Sequence, residues 1–171
     1  MSVSRRVLYM AHPLSPLQGE ILAEPSDFPE SMRVELALTG NLHRALRWLA
    51  WLRATFPRVT FMAPWIATVQ SLHGDDSSAV REAGLVDDCA VVERCDGIVL
   101  CGGRISSGMQ IELAHGTGHS WDRPDGFRVY DLVAIGREPP SISPADAPFL
   151  WAQRFGVYDA LYDALDRLRS A

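Results

Sequence analysis

The sequence predicts an α/β fold, a three-layer parallel sheet of four to five strands with flanking helices. Three observations lead there. Short apolar runs of strand length recur at residues 7–11, 59–63, 97–101 and 129–135. Segments with helical periodicity or helix-capping residues separate them. The 171 residues carry 47% hydrophobic and 22% charged side chains, with no internal repeat and no linker, which suits one domain over residues 1–171 with a sizeable core. Strands alternating with helices give a parallel sheet covered on both faces. Right-handed crossovers make a small flavodoxin-like or Rossmann-like sheet the expected form.

The elements follow in order. The run VLYMA ends at His12-Pro13 and reads as a buried first strand, since a residue before proline is biased toward extended geometry. Residues 15–35 are polar and proline-bearing, and are expected to be a long loop with at most one helical turn. Asn41 is a good N-cap and opens a helix that places Leu42, Ala45, Leu46, Leu49 and Leu52 on one face, with Pro57 as its stop. Residues 59–63 form the second strand, and the stretch from Pro64 to Ser78 reads as a loop. A helix over 77–94, capped by Ser77 or Ser78 and weakened at Gly84, precedes the third strand at 97–101. A tight loop, GGRISS, feeds a helix over 108–118, where Ser107 and Gln110 form a capping box. A fourth strand over 129–135 and a C-terminal helix over 155–168 close the chain, the latter with Tyr158, Leu161, Tyr162, Leu165 and Leu168 on one face.

Composition excludes some functions. A net charge of −5 argues against a nucleic-acid polymer as partner, because phosphate backbones are bound by clustered Lys and Arg. Cys89, Cys95 and Cys101 stand without metal-ligand spacing and read as reduced thiols. The N-terminal residues lack the apolar core of a signal peptide, and no run approaches 18 apolar residues. A cytoplasmic protein with no membrane partner is expected.

Ligands of open parallel sheets bind beyond the carboxyl ends of the strands. The loop after the third strand is the most informative there, because two glycines, Arg104, Ser106 and Ser107 lead into a helix N-terminus, a natural anion site. Glu112 lies just over one turn into that helix, and the helix dipole is expected to favour its ionised form. An ionised carboxylate at this edge can act as nucleophile or base. Trp65 is placed to stack a ring above the second strand, whereas Trp48 and Trp51 read as helix packing. Glu112, His115 and His119 have E-x-x-H-x-x-x-H spacing, but Gly116 and Gly118 end the helix there, so no metal is expected. No other cofactor is expected.

A tyrosine on the first strand, then N-x-x-R-A, an Asp eight residues before a C-D-G-I-V-L strand, and S-S-G-M-Q-I-E-L-A together resemble the nucleoside 2-deoxyribosyltransferase-like superfamily over roughly residues 7–118. The resemblance implies that Glu112 is the nucleophile on a (deoxy)ribosyl carbon, that Asp88 is the general acid for the leaving base, and that Tyr9 holds the nucleophile by a hydrogen bond. Ser106 or Ser107 stands where the transferases carry a carboxylate. There, with Gly108 and Arg104, the serines look more like the deoxynucleoside 5′-monophosphate N-hydrolases, which bind a 5′-phosphate. The first loop departs from the family too, with A-H-P-L-S in place of a glycine-bearing turn, so that His12 stands where the sugar would sit. The implied partner is a small nucleoside or nucleotide, and a homo-oligomer is expected. Three readings remain open at this point: cleavage of an N-glycosidic bond by transfer or hydrolysis, a nucleotide-binding module without turnover, and an interaction protein with a degenerate site.

Overall fold

A computed structural model describes residues 6–71, 78–118 and 126–140 of the chain. Four strands, β1 (Val7–Ala11), β2 (Thr60–Met62), β3 (Gly97–Leu100) and β4 (Arg128–Asp131), form an all-parallel sheet in the order β2-β1-β3-β4. Tyr9 pairs with Met62 on one side and Ile98 on the other, and Val99 pairs with Tyr130. The inner strands β1 and β3 are almost wholly buried. Their unbroken apolar character follows from helices on both faces. The chain moves outward from β1 to β2, then returns across β1 to β3. The reversal leaves a topological switch point at the carboxyl ends of β1 and β3.

Five helices connect the strands: α1 (Gln18–Ala23), α2 (Glu30–Thr55), α3 (Pro64–Ser71), α4 (Ser78–Val92) and α5 (Ser107–Gly118). Right-handed crossovers put α2 on one face and the adjoining α4 and α5 on the other, giving the three layers. The core runs through Leu8, Met10, Trp48, Leu52, Ile98 and Leu100, all at most 2% exposed.

Several expectations need correction. The long helix begins at Glu30, not at Asn41. Its first turns are largely exposed and carry no apolar stripe, which is why its start was illegible. Asn41 is not a cap: buried inside the helix, its Nδ2 donates to the Leu14 carbonyl at 2.9 Å and ties α2 to the loop after β1. The buried face is Ala37, Asn41, Ala45, Trp48, Trp51 and Leu52, while Leu46 is exposed. The large indoles take the inward positions, consistent with the packing role expected of Trp48 and Trp51. Residues 64–71 are helical rather than a loop, with Pro64 at the first position, where its fixed φ and missing N–H suit a helix. Gly84 does not split α4. Ser106, not Ser107, caps α5, its Oγ accepting the Met109 N–H at 3.3 Å; Ser107 and Gln110 are exposed. The fourth strand stops at Asp131, whose Oδ1 accepts the Val133 N–H at 2.9 Å and turns the chain into a short 3-10 helix, Val133–Ile135. The expected C-terminal helix and its Tyr158 face lie outside the described residues, as do Ser77 and His119.

No helix among the described residues is long and apolar enough to cross a membrane.

Candidate functional site

Tyr9, Asp88 and Glu112 are brought together from three elements. Tyr9 sits in the middle of β1 and is fully buried. Its hydroxyl donates to Glu112 Oε1 at 2.8 Å across the β1–α5 interface. Asp88, on the inner side of α4, acts on the same hydroxyl, whereas its neighbour Asp87 faces solvent. The helical period explains the difference between the two aspartates: one position along α4 turns the side chain away from the sheet.

Burial dominates the electrostatics. Glu112 is 7% exposed, and desolvation pushes its carboxyl up to about 8; the Tyr9 hydrogen bond opposes this and the Asp88 charge adds to it. Desolvation likewise pushes Asp88 up to about 6, with the Tyr9 bond opposing and Asp87 adding. The expectation that the helix dipole keeps Glu112 ionised is therefore overturned. The dipole acts within the first turn of a helix, and Glu112 lies beyond it in a dry site. Burial thus raises both carboxyl groups, and the Tyr9 hydroxyl between them opposes the rise in each. The phenol is itself pushed far up, by burial first and then by the Glu112 and Asp88 charges, so it stays a donor.

The loops at the switch point carry the other expected residues. His12 follows β1 directly and is 6% exposed. Its ring stacks on Trp65 with centroids 6.4 Å apart and planes inclined by 17°. Trp65 is not an open platform: its indole is 7% exposed and its Nε1 donates to the Met10 carbonyl at 3.0 Å. Gly102, after β3, has φ of 92°, and a Cβ there would lie 2.6 Å from the His12 ring. Arg104 donates to the Ser15 carbonyl, so its guanidinium braces the loop after β1. Ser106 caps α5, and Ser107 and Gly108 form that helix's first turn.

Sequence reasoning missed a second polar cluster at this edge. Glu20 on α1 has a side chain 9% exposed. Its carboxylate accepts the Leu17 N–H at 2.6 Å, Asn41 Nδ2 at 3.3 Å, Arg44 at 3.5 Å, and Arg137 from the loop after the 3-10 helix. The N-x-x-R spacing of Asn41 and Arg44, one turn apart, was the available signal. No group of three His, Cys, Asp or Glu side chains suited to a metal exists among the described residues. His115 instead pairs with Glu93 at 3.1 Å.

A doubly wound parallel sheet with buried Glu112 and half-buried Asp88 about the Tyr9 hydroxyl defines an α/β protein with a built polar site. The chain belongs to the family described as Domain of unknown function (DUF7768), whose model matches residues 32–121. The matched span includes Trp65, Asp88, Arg104, Ser106, Ser107, Gly108 and Glu112; His12 and Tyr9 precede it. No curated protein matches the chain.

Proposed function

We propose that this protein cleaves the N-glycosidic bond of a (deoxy)nucleoside or nucleoside 5′-monophosphate, by transfer or by hydrolysis. One observation carries the reading: Glu112, buried, accepts the Tyr9 hydroxyl at 2.8 Å while Asp88 acts on the same hydroxyl. A Glu carboxylate oxygen attacks C1′ and the C1′–N bond breaks. The bonding pair passes to the base nitrogen, which Asp88 protonates. Water, or the nitrogen of a second base, then attacks C1′ and releases Glu112 as carboxylate, the displaced proton returning to Asp88.

The reaction needs charge on Glu112 and a proton on Asp88. In the free site the order is reversed, because Glu112 is the more desolvated. A phenol that touches both groups resolves this. It can accept the Glu112 proton while passing its own to Asp88, without ionising. The Tyr9 hydrogen bond then stabilises the newly charged Glu112. Ser106, Ser107, Gly108 and Arg104, at the N-terminal turn of α5, complete the substrate-binding edge of this proposal. A cytoplasmic homo-oligomer is part of the same proposal.

Incubation with deoxynucleosides and their monophosphates, followed by chromatography, tests it. Free base is expected from at least one of them. Glu112→Ala should lower its release by about 10³-fold or more. Equal release by that variant sinks the reading. The raised Glu112 carboxyl favours a second reading, a nucleotide-binding module without turnover. That module would show ligand-dependent thermal stabilisation and no free base.

A further inference from the structure

His12 is an anomaly. Neither of its ring nitrogens makes a hydrogen bond among the described residues, and both are shielded from solvent. Buried polar groups are almost always paired, and each exception costs about 1–3 kcal/mol. Burial pushes the imidazole down to about 4, and nearby Arg44 and Arg104 push the same way against the Pro13 carbonyl and Glu138. The ring is thus neutral; the Pro13 carbonyl acts on it without a well-formed hydrogen bond, and its acceptor nitrogen has no donor among the described residues. It lies at the switch point, between Trp65 and the Gly102 backbone.

Pro13 is buried and Leu14 packs against the core, but the segment beyond them is held loosely. Residues 15–24 contain α1, none of whose residues is buried. Polar ties hold this segment to the rest of the molecule: Glu20 to Arg44, Arg137 and Asn41, and Ser15 to Arg104 and Arg81. Two guanidinium groups, a side-chain amide and a backbone N–H converging on one carboxylate make the donor set of an anion site. Here the chain's own carboxylate fills it.

We propose that residues 15–24 are a strap which an anionic sugar ligand lifts: its negative group replaces Glu20 on Arg44 and Arg137, and its hydroxyls pair with the His12 ring. The ligand class is a pentose phosphate, free or as part of a mononucleotide. This rests on the proposed function for the placing of a sugar near Glu112, but requires no bond cleavage. A ligand that must displace Glu20 binds with its affinity reduced by the fraction of molecules in the open state. Removing Glu20 therefore tightens binding, the opposite of what loss of a merely structural residue does.

The test is calorimetric titration of the full chain with ribose 5-phosphate and deoxyribose 5-phosphate, which carry no base, and with inorganic phosphate. Wild type is expected to bind the sugar phosphates and to bind phosphate more weakly. Glu20→Ala and the milder Glu20→Gln are expected to bind them about tenfold tighter. His12→Phe keeps the stack on Trp65 and removes both nitrogens. It is expected to bind the sugar phosphates about tenfold more weakly, with phosphate unchanged and Tm equal to or above wild type. Failure of wild type to bind any sugar phosphate overturns the proposal, as does unchanged or weaker binding by both Glu20 variants. A lowered Tm with unchanged affinity in His12→Phe overturns the role of the ring. Sugar-phosphate binding without base release from nucleotides would leave this inference standing and remove the glycosidic reading.

Discussion

At the scale of single residues, the contest over Glu112 is between the helix field and desolvation, and desolvation wins. Its folded carboxyl is raised from 4.5 to about 8, so the folded state holds a proton that the unfolded chain releases. The resulting stability is fully present below about pH 4.5 and is lost as pH rises through about 8. Asp88, raised from 3.8 to about 6, adds to the same trend at lower pH. Glu112→Gln, neutral at every pH, should therefore melt several degrees above wild type at pH 9 and close to it at pH 4, as read by calorimetry. Tyr9→Phe removes the bond that favours charge on Glu112. The alkaline limb of a kcat/KM–pH profile should move to higher pH, and base release at pH 7 should fall by about tenfold or more.

At the scale of elements, what was legible was what burial on both faces forces. VLYMA and GIVL read as strands because central parallel strands must be apolar throughout, and the Gly-Gly turn into α5 marked the ligand edge. What stayed hidden depends on partners far along the chain. Asn41 looks like a cap from its neighbours, and only the Leu14 carbonyl explains it as a buried tie. Residues 64–71 look like a loop until Trp65 and Ile66 find the core. The pairing of Tyr9 with Glu112 spans 103 positions, and only the resemblance pointed to it. Close strand packing also leaves a testable mark. A Cβ at Gly97 would lie 2.3 Å from the Arg128 carbonyl oxygen, a backbone atom that cannot rotate away. Gly97→Ala should cost about 2–4 kcal/mol in denaturant unfolding by forcing β3 from β4.

At the scale of the whole molecule, a rigid sheet carries a loosely held edge. β1 and β3 lie at the centre of both the sheet and the core, whereas α1 buries nothing. Native-state hydrogen exchange should find β1 and β3 amides opening only with global unfolding. Those of Gln18–Ala23 should exchange through local opening at a much lower free energy. That division sets Asp88 and Glu112 on helices packed against the buried strands, and α1 at the exposed edge. The proposed cleavage requires that Glu112 forms an ester with a pentose carbon. Mass spectrometry after incubation with a 2-fluoro-arabinosyl nucleoside 5′-monophosphate, whose electron-withdrawing fluorine slows release of the ester, tests this most directly. One pentose-phosphate adduct is expected on the peptide that contains Glu112, and none in Glu112→Gln. An unmodified Glu112 peptide, with base release that survives Glu112→Gln, would contradict it.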